Sequence, residues 1–571
     1  MNEAMEEARR LLKQACGDDV RLEDVKVSAM ADLSSSIAFR LAKSRGESPI
    51  DLAKKLAERV KPCGLIGGAE AVNGYVNFRL DYGNFTRHVL RRIQAEEEDY
   101  GRPLVSYDGK IVLEHTSVNP SGPIHVGRLR NSIIGDSIRR ILSFVGYDVE
   151  THYFVNDIGK QMALIALGFK ENIAPDVDVM EKYSKFKEKP DFLVFFEYVS
   201  ANRVFESDPG FKDRVQSLIM KAESGDAGAL ELITSVAVRC LSGQRQLFDS
   251  LGFKFDIFDF ESKFIKDRSA FDVVARLEKQ AVWKDIEIGS GLDLSGLGLA
   301  KGGGITVLRR RDGTTVYLAR DLAYHLEKQG CGDRLINVLG EDHKLQAMEL
   351  EAILRNFLGF TKPITVVHYS FVSFEGSKLS TRRGEIASVD ELLEEALDKA
   401  AAEIEKRGIA GMETASQIGI GAVKYHIIKT APSKPITFRW EEALSFEGEA
   451  APYIQYVHAR SCRIIEKAGI DASKIDVEGI DVQLDEPERQ LLKELSLFPD
   501  VIDSAAKDLK PSTLANYLYE LSSVYNKFYI QCPVIASVDS VRERRLLIVQ
   551  STRQVIRNGL YLLGIDAPDR M

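Results

Sequence analysis

Only six cysteines occur in the 571 residues, at positions 16, 63, 240, 331, 462 and 532, and none forms a CxxC pair. That scatter predicts reduced thiols and gives no sign of a disulfide framework or a zinc site. There is no run of about 18 apolar residues, and the opening Met-Asn-Glu-Ala-Met-Glu-Glu-Ala-Arg-Arg lacks a hydrophobic signal region. The expectation is a soluble, cytoplasmic chain without membrane contact. Positive charge is also short, with 76 Lys and Arg against 85 Asp and Glu and a formal net charge of −9, which argues against a protein coated for general polyanion binding. The charge is uneven, however: residues 501–571 carry nine Lys or Arg against seven Asp or Glu. A modestly basic end on an acidic body would dock a nucleic acid locally while the remainder discourages nonspecific binding. With 44% apolar residues over this length, several domains with substantial cores are expected.

Two short segments carry the chemistry. The first, Pro123-Ile124-His125-Val126-Gly127-Arg128, follows a β-rich run at 111–116. It opens a stretch with apolar residues at Leu129, Ile133, Ile134, Ile138, Ile141, Leu142 and Val145, the period of a helix. Gly146 is the expected terminator, and 147–155 reads as a second strand, which completes a βαβ unit. His125 then lies near a helix N-terminus, where free N–H groups and the dipole favour anions. Gly127 has no Cβ to keep a flat base away from the backbone, and His125 can donate to phosphate oxygens as charge shifts during displacement. The second segment, Lys378-Leu379-Ser380-Thr381-Arg382, lies in a polar loop between the strand-like run 364–369 and a helix capped by Ser388, with Glu391 in the capping-box position. Lys378, Arg382 and Arg383 would bring positive charge to a triphosphate and stabilise departing pyrophosphate. Alone, the first segment reads more readily as a helix-capping histidine beside a structural glycine, and the second equally well as a solvated basic loop. Together they supply what ATP activation of a carboxylate requires.

The pair resembles the HIGH and KMSKS signatures of class I aminoacyl-tRNA synthetases, and the surrounding residues resemble the arginyl-tRNA synthetase family. The resemblance rests on Glu114-His115-Thr116-Ser117-Val118-Asn119-Pro120 running into His125-Val126-Gly127-Arg128-Leu129-Arg130-Asn131. It rests also on Val155-Asn156-Asp157-Ile158-Gly159-Lys160-Gln161, Tyr317-Leu318-Ala319-Arg320-Asp321, Gly340-Glu341-Asp342-His343 and Tyr453-Ile454-Gln455-Tyr456-Val457-His458-Ala459-Arg460. By motif position it implies ATP contacts at His125, Gly127, Arg128, His343, Lys378, Ser380 and Arg382, with His125 and Lys378 catalytic. It implies arginine contacts at Glu114, Asn119, Tyr317, Asp321 and His343 and, from the family-like ending, a tRNA contact at Met571. Tyr456 with Arg460, and Tyr525 with Tyr529, share helix faces, and contacts with unpaired anticodon bases, expected at Tyr456, Arg460 and Tyr525, stand there beside an almost equal reading as helix packing. The chemistry of the acidic residues agrees, because a planar, permanently charged guanidinium pairs best with carboxylates and an aromatic face. The implied substrates are L-arginine, ATP with Mg²⁺, and tRNA(Arg); no protein-held metal and a monomer are expected. The family typically charges the 2′-hydroxyl and requires bound tRNA for the first step. Two departures stand out: Arg128 replaces the usual second histidine of HIGH, and Leu379 replaces the usual methionine.

The expected fold class is α/β, with a class I Rossmann-like catalytic domain, an N-terminal α/β module and a C-terminal all-α helical-bundle anticodon-binding domain. The expected boundaries are 1–104 for the module, which by resemblance grips the tRNA elbow, 105–440 for the catalytic domain, and 441–571 for the bundle. A polar, helical insertion is expected at about 165–260, without an editing-like histidine or cysteine cluster. Tyr75 and Phe78 are assigned to strand packing. The glycine-rich run 289–304 fits neither phosphate-loop pattern and reads as turns between short strands. Two other readings stay open: a class I synthetase for lysine or glutamate, and a catalytically silent tRNA-binding paralogue motivated by Arg128.

Overall fold

Short β-branched runs bounded by polar turns build the central sheet of the computed structural model, which describes residues 1–17, 20–28, 30–103, 107–299, 304–374, 387–408 and 411–571. The strands are β1 (Lys110–Glu114), β2 (Asp148–Val155), β3 (Ile257–Phe260), β4 (Arg334–Gly340) and β5 (Ile364–Tyr369). They lie in the order β5-β4-β1-β2-β3, and every pairing is parallel. Ile111, Val112 and Leu113 in β1 are at most 1% exposed, as an interior parallel strand with both faces covered requires. Helix α1 (Val126–Phe144) crosses from β1 to β2, and α2 (Tyr317–Lys328) leads into β4. The strand order reverses between β1 and β4, and sheets of this kind bind ligands beyond the carboxyl ends at such a switch point. Glu114 closes β1 and Gly340 closes β4, so both face that crevice. Helix α3 (Val389–Lys406) begins just after the second signature segment with the expected Ser388–Glu391 capping box.

The first hundred residues form an antiparallel four-stranded sheet, in which Leu33–Ser35 and Tyr75–Leu80 occupy the middle, covered by helices that include Asn2–Cys16 and Pro49–Arg59. Phe78 is fully buried, whereas Tyr75 is half exposed with its ring edge on Phe39. The chain ends in four long helices, α4 (Ala451–Ala468), α5 (Glu486–Asp508), α6 (Pro511–Gln531) and α7 (Asp539–Leu562). The N-terminal sheet is tied to α5 by the Met1 ammonium on the Ser496 carbonyl (2.7 Å), the Tyr100 hydroxyl on the Leu495 carbonyl (3.0 Å) and a Lys493–Asp32 ion pair.

Three expectations need correction. The stretch 165–260 is helical, but it has its own aromatic core of Tyr183, Phe192, Phe195 and Phe196, and its last residues form β3 of the central sheet. The basic excess of 501–571 is partly used inside the fold, because Arg544 and Arg545 are 1% and 7% exposed and both donate to the fully buried Glu488. Less positive charge therefore reaches the surface than the count implied. The amides at the start of α1, expected to be free, are already bonded within the fold. The glycine-rich run does form a hairpin, with strands Gly289–Asp293 and Ile305–Arg310 so close that a Cβ on Gly291 would overlap the Thr306 carbonyl.

Glu488 also accepts from the Asp485 amide at 2.7 Å. Glu488→Ala removes the buried carboxylate that two guanidinium groups share, leaving Arg545 on Asp485 and Arg544 on Asp481, and the expected loss is about 1–3 kcal/mol, read as a lower urea midpoint by far-UV circular dichroism.

Candidate active site

The start of α1 and its first turns contact residues on both sides of the second signature segment. Val126 donates its N–H to the Ala387 carbonyl at 2.9 Å, and Val389 donates to the Ile124 carbonyl at 2.8 Å. Arg130, fully buried one turn further on, donates to the carbonyls of Ser370 (2.7 Å), Lys434 (2.8 Å) and Ala431 (3.1 Å). Burial lowers the Arg130 pKa to about 10, so the group still carries its charge at neutral pH. Both flanks of 375–386 are thus fastened to α1. Lys378, Ser380 and Arg382 lie outside the described residues.

His125 is the N-cap of α1. Its Nδ1 accepts the Gly127 N–H at 3.0 Å, and its carbonyl accepts the Arg128 N–H at 2.8 Å. With Val126 bonded to Ala387, the amides expected to greet an anion are already used, and the correction moves that task to side chains. An Nδ1 that accepts leaves the proton of a neutral imidazole on Nε2, and this N–H is the donor available to a phosphate. Burial first, and the Arg128 charge second, depress the His125 pKa. Arg128 is exposed, Gly127 partly so.

The acidic side begins at Glu114. Thr116 and Ser117, which follow it, have φ of 72° and 40°, a left-handed region that costs a non-glycine residue roughly 1–3 kcal/mol and often marks a working site. Asn131 and Ser132 of α1 hold this turn, accepting from the Thr116 amide and hydroxyl at 2.9 Å each. Glu114 is not open: its Oε2 lies 2.6 Å from Nζ of the buried Lys328, and Oε1 accepts from Ser117 at 3.2 Å. Asp321 lies on α2 with its carboxylate a quarter exposed and Oδ1 3.0 Å from His325 Nδ1. Burial alone would raise its pKa, but His325, Lys328 and His343 outweigh burial and hold it below the usual carboxylate range. Tyr317 opens the same helix, half exposed, and the Arg320 guanidinium lies 4.9 Å from its ring centroid. Arg320 in turn is buried against Glu261 at 2.5 Å, where burial pushes the Glu261 carboxyl up to about 7 despite its partner. Asn119 is exposed and accepts from Asn156 Nδ2 at 3.1 Å. His343 follows β4, partly exposed, at the start of the next helix.

Glu114 thus closes β1, His125 caps α1 just beyond it, His343 follows the end of β4, and Asp321 on α2 lies within electrostatic reach of His343. Sequence reasoning missed Lys328, His325 and Asn337. The available signals were Asp321, His325 and Lys328 at i, i+4 and i+7 on one helix face, and an asparagine inside the apolar strand β4.

Far from the crevice, the Arg460 guanidinium lies 4.5 Å from the ring centroids of both Tyr456 and Tyr529 and donates to Asn526 at 2.7 Å. Tyr525, expected to touch RNA, is instead fully buried with its hydroxyl on Ser461 at 2.9 Å; packing of α6 on α4 takes it, and Tyr529 is 42% exposed. Met571 packs beside Ala400, Ile404, Ala415, Ile418 and Phe446. His458, Cys462 and Asp569 lie close together, but His458 Nδ1 pairs with the Pro568 carbonyl, and burial raises the thiol to about 11. This favours a hydrogen-bonded cluster over a thiolate ligand set.

The depressed His125 pKa has a testable sign. The neutral ring stabilises the fold above the ordinary imidazole value of ~6.5, and that contribution is lost as pH falls toward the lower folded value. An NMR titration is expected to show His125 neutral at pH 7, and Arg128→Ala is expected to raise its pKa only partway, because burial remains.

Comparison with known proteins agrees with this geometry. Residues 90–440 match the family model "tRNA synthetases class I (R), catalytic domain". Residues 2–80 match "Arginyl tRNA synthetase N terminal domain", and 454–571 match "DALR anticodon binding domain". An arginine–tRNA ligase of Methanocaldococcus jannaschii is 40% identical over 98% of this chain and 97% of its own length. One from Archaeoglobus fulgidus is 38% identical over 96% of each. The solved arginyl-tRNA synthetase of Thermus thermophilus superposes with a TM-score of 0.77 at 28% identity, covering 100% of both chains. With a parallel class I sheet, a His125-capped helix at its switch point and these matches across its length, the chain belongs to the arginyl-tRNA synthetase family.

Proposed function

We propose that the protein joins L-arginine to tRNA(Arg) in two steps. A carboxylate oxygen of arginine attacks the α-phosphate of ATP, bound with Mg²⁺, and pyrophosphate leaves. A hydroxyl of the terminal ribose of tRNA then attacks the arginyl carbonyl carbon, and AMP leaves as the hydroxyl proton is lost. The observations that support this reading are a His125 whose Nδ1 accepts the Gly127 N–H at the start of α1, just beyond β1, and an Asp321 on α2 held below the usual carboxylate range. In it, His125 and Lys378 stabilise charge on the phosphates, helped by Arg128, Ser380 and Arg382, and Gly127 and His343 line the adenosine. Asp321 and Tyr317 take the guanidinium, Glu114 supports them, and Asn119 holds the amino acid's other end. Positioning and electrostatics do the work, without a covalent protein intermediate.

Residues 1–104, 105–440 and 441–571 divide the labour among the tRNA elbow, the chemistry and the anticodon, with Tyr456, Arg460 and Met571 on the tRNA side. Tyr529, exposed beside Arg460, takes the place first given to Tyr525. Every group named comes from one chain, so a monomer suffices. Among the described residues no helix is long and apolar enough to cross a membrane, in keeping with work in the cytoplasm. The acidic pocket favours arginine over glutamate, which would meet like charge.

Aminoacylation with labelled arginine, lysine or glutamate, ATP, Mg²⁺ and total tRNA tests the reading, and charging with arginine alone is expected. Folded protein that binds tRNA but charges nothing would favour the silent paralogue. Lys378→Ala is expected to lower activation by about 10²–10³ with little change in arginine affinity. Asp321→Asn is expected to raise the arginine KM by roughly 10- to 100-fold.

A further inference from the structure

Three side chains that the reaction does not touch connect the two carboxylates of the pocket. Lys328 Nζ lies 2.6 Å from Glu114 Oε2 and 3.2 Å from Asn337 Oδ1, and 4.2 Å from the centroid of the Tyr324 ring. Asn337 Nδ2 lies 3.0 Å from His325 Nε2. His325 Nδ1 lies 2.9 Å from the Asp321 carbonyl and 3.0 Å from its Oδ1. Lys328, His325 and Asn337 are 1%, 2% and 3% exposed, so bulk water does not compete for these bonds.

Asparagine can flip and histidine has two neutral tautomers, but an ammonium only donates. Lys328 therefore requires the oxygen of Asn337 to face it, which turns Nδ2 toward His325. Nε2 must then accept, and the imidazole proton is forced onto Nδ1, where it meets Asp321. The direction of each bond follows from the one donor-only group at the far end of the chain. The same ammonium neutralises Glu114, whose side chain is 11% exposed, while the Asp321 side chain, at 26%, remains the open end.

We propose that Lys328 is a specificity-determining positioning residue of the arginine pocket: it sets the Asn337 orientation and the His325 tautomer and cancels Glu114, so that Asp321, rather than Glu114, presents the oriented carboxylate to the guanidinium. The inference rests on the reading of Asp321 as the guanidinium partner. It assigns Glu114 a supporting role and makes the polar chain through β4 part of substrate selection.

The first test needs no variant. ¹⁵N NMR of histidine-labelled protein, with the His325 signals assigned by His325→Gln, is expected to show the Nδ1–H tautomer, and an Nε2–H tautomer would overturn the proposal. Steady-state kinetics supply the second. Lys328→Met is expected to raise the arginine KM about tenfold or more while the ATP KM and kcat stay within about twofold, and Lys328→Arg, still donor-only, is expected to recover most of the loss. Equal losses in all three parameters, or no rescue by arginine, would mark Lys328 as merely structural. If Asp321→Asn raises the arginine KM and Lys328→Met does not, the inference falls and the reading of Asp321 stands. If Asp321→Asn leaves the arginine KM unchanged, the reading falls and the inference falls with it.

Discussion

Two backbone hydrogen bonds, from Val126 to the Ala387 carbonyl and from Val389 to the Ile124 carbonyl, hold the start of α1 against the start of α3, on which the proposed site depends. Each is worth only about 0.5–1.5 kcal/mol net, so their importance is geometric. They join the start of α1 to the start of α3, and the buried Arg130 adds one carbonyl contact, Ser370, on the other flank of the second signature segment and two, Ala431 and Lys434, to the chain that follows α3. Because the bonds run through main chain, side-chain changes around them leave the docking intact. They also settle what the helix N-terminus can do. Its amides serve the scaffold, and in the proposed mechanism the neutral His125 ring is the donor to a phosphate.

The opposite wall of the crevice obeys a different constraint. A site for a guanidinium needs negative charge, yet two unpaired carboxylates at partial burial would repel one another and tend to protonate. The fold resolves this by giving Glu114 a buried ammonium and leaving Asp321 ionised and a quarter exposed. The strained pair Thr116 and Ser117, held by Asn131 and Ser132 of α1, ties this wall back to the same helix that carries His125.

Much of this was legible in the residues. The period of 129–145, the strand runs at 111–116 and 364–369 and the Ser388–Glu391 cap are local signals, and the structure follows each except that the first strand stops at Glu114, before the left-handed Thr116. What escaped depends on tertiary partners. Tyr525 and Tyr529 share a spacing and a residue type, and only the approach of Ser461 on α4 decides that one is core and the other surface. Basic residues near the C-terminus count equally in composition, but Glu488 removes two of them from the surface. Lys328 reads as an ordinary helical lysine until β1 and β4 bring Glu114 and Asn337 to it.

The central claim is that main-chain docking of the start of α3 on the start of α1 supports the proposed ATP-activating site, and Val389→Pro tests it most directly. Val389 is the first residue of α3 and Ser388 before it is extended (φ −82°, ψ 152°), a setting that proline tolerates. The substitution therefore removes the donor to Ile124 while sparing the helix. With tRNA present, ATP–pyrophosphate exchange is expected to fall about tenfold or more while arginine affinity is kept. A folded variant with unchanged exchange would contradict the account.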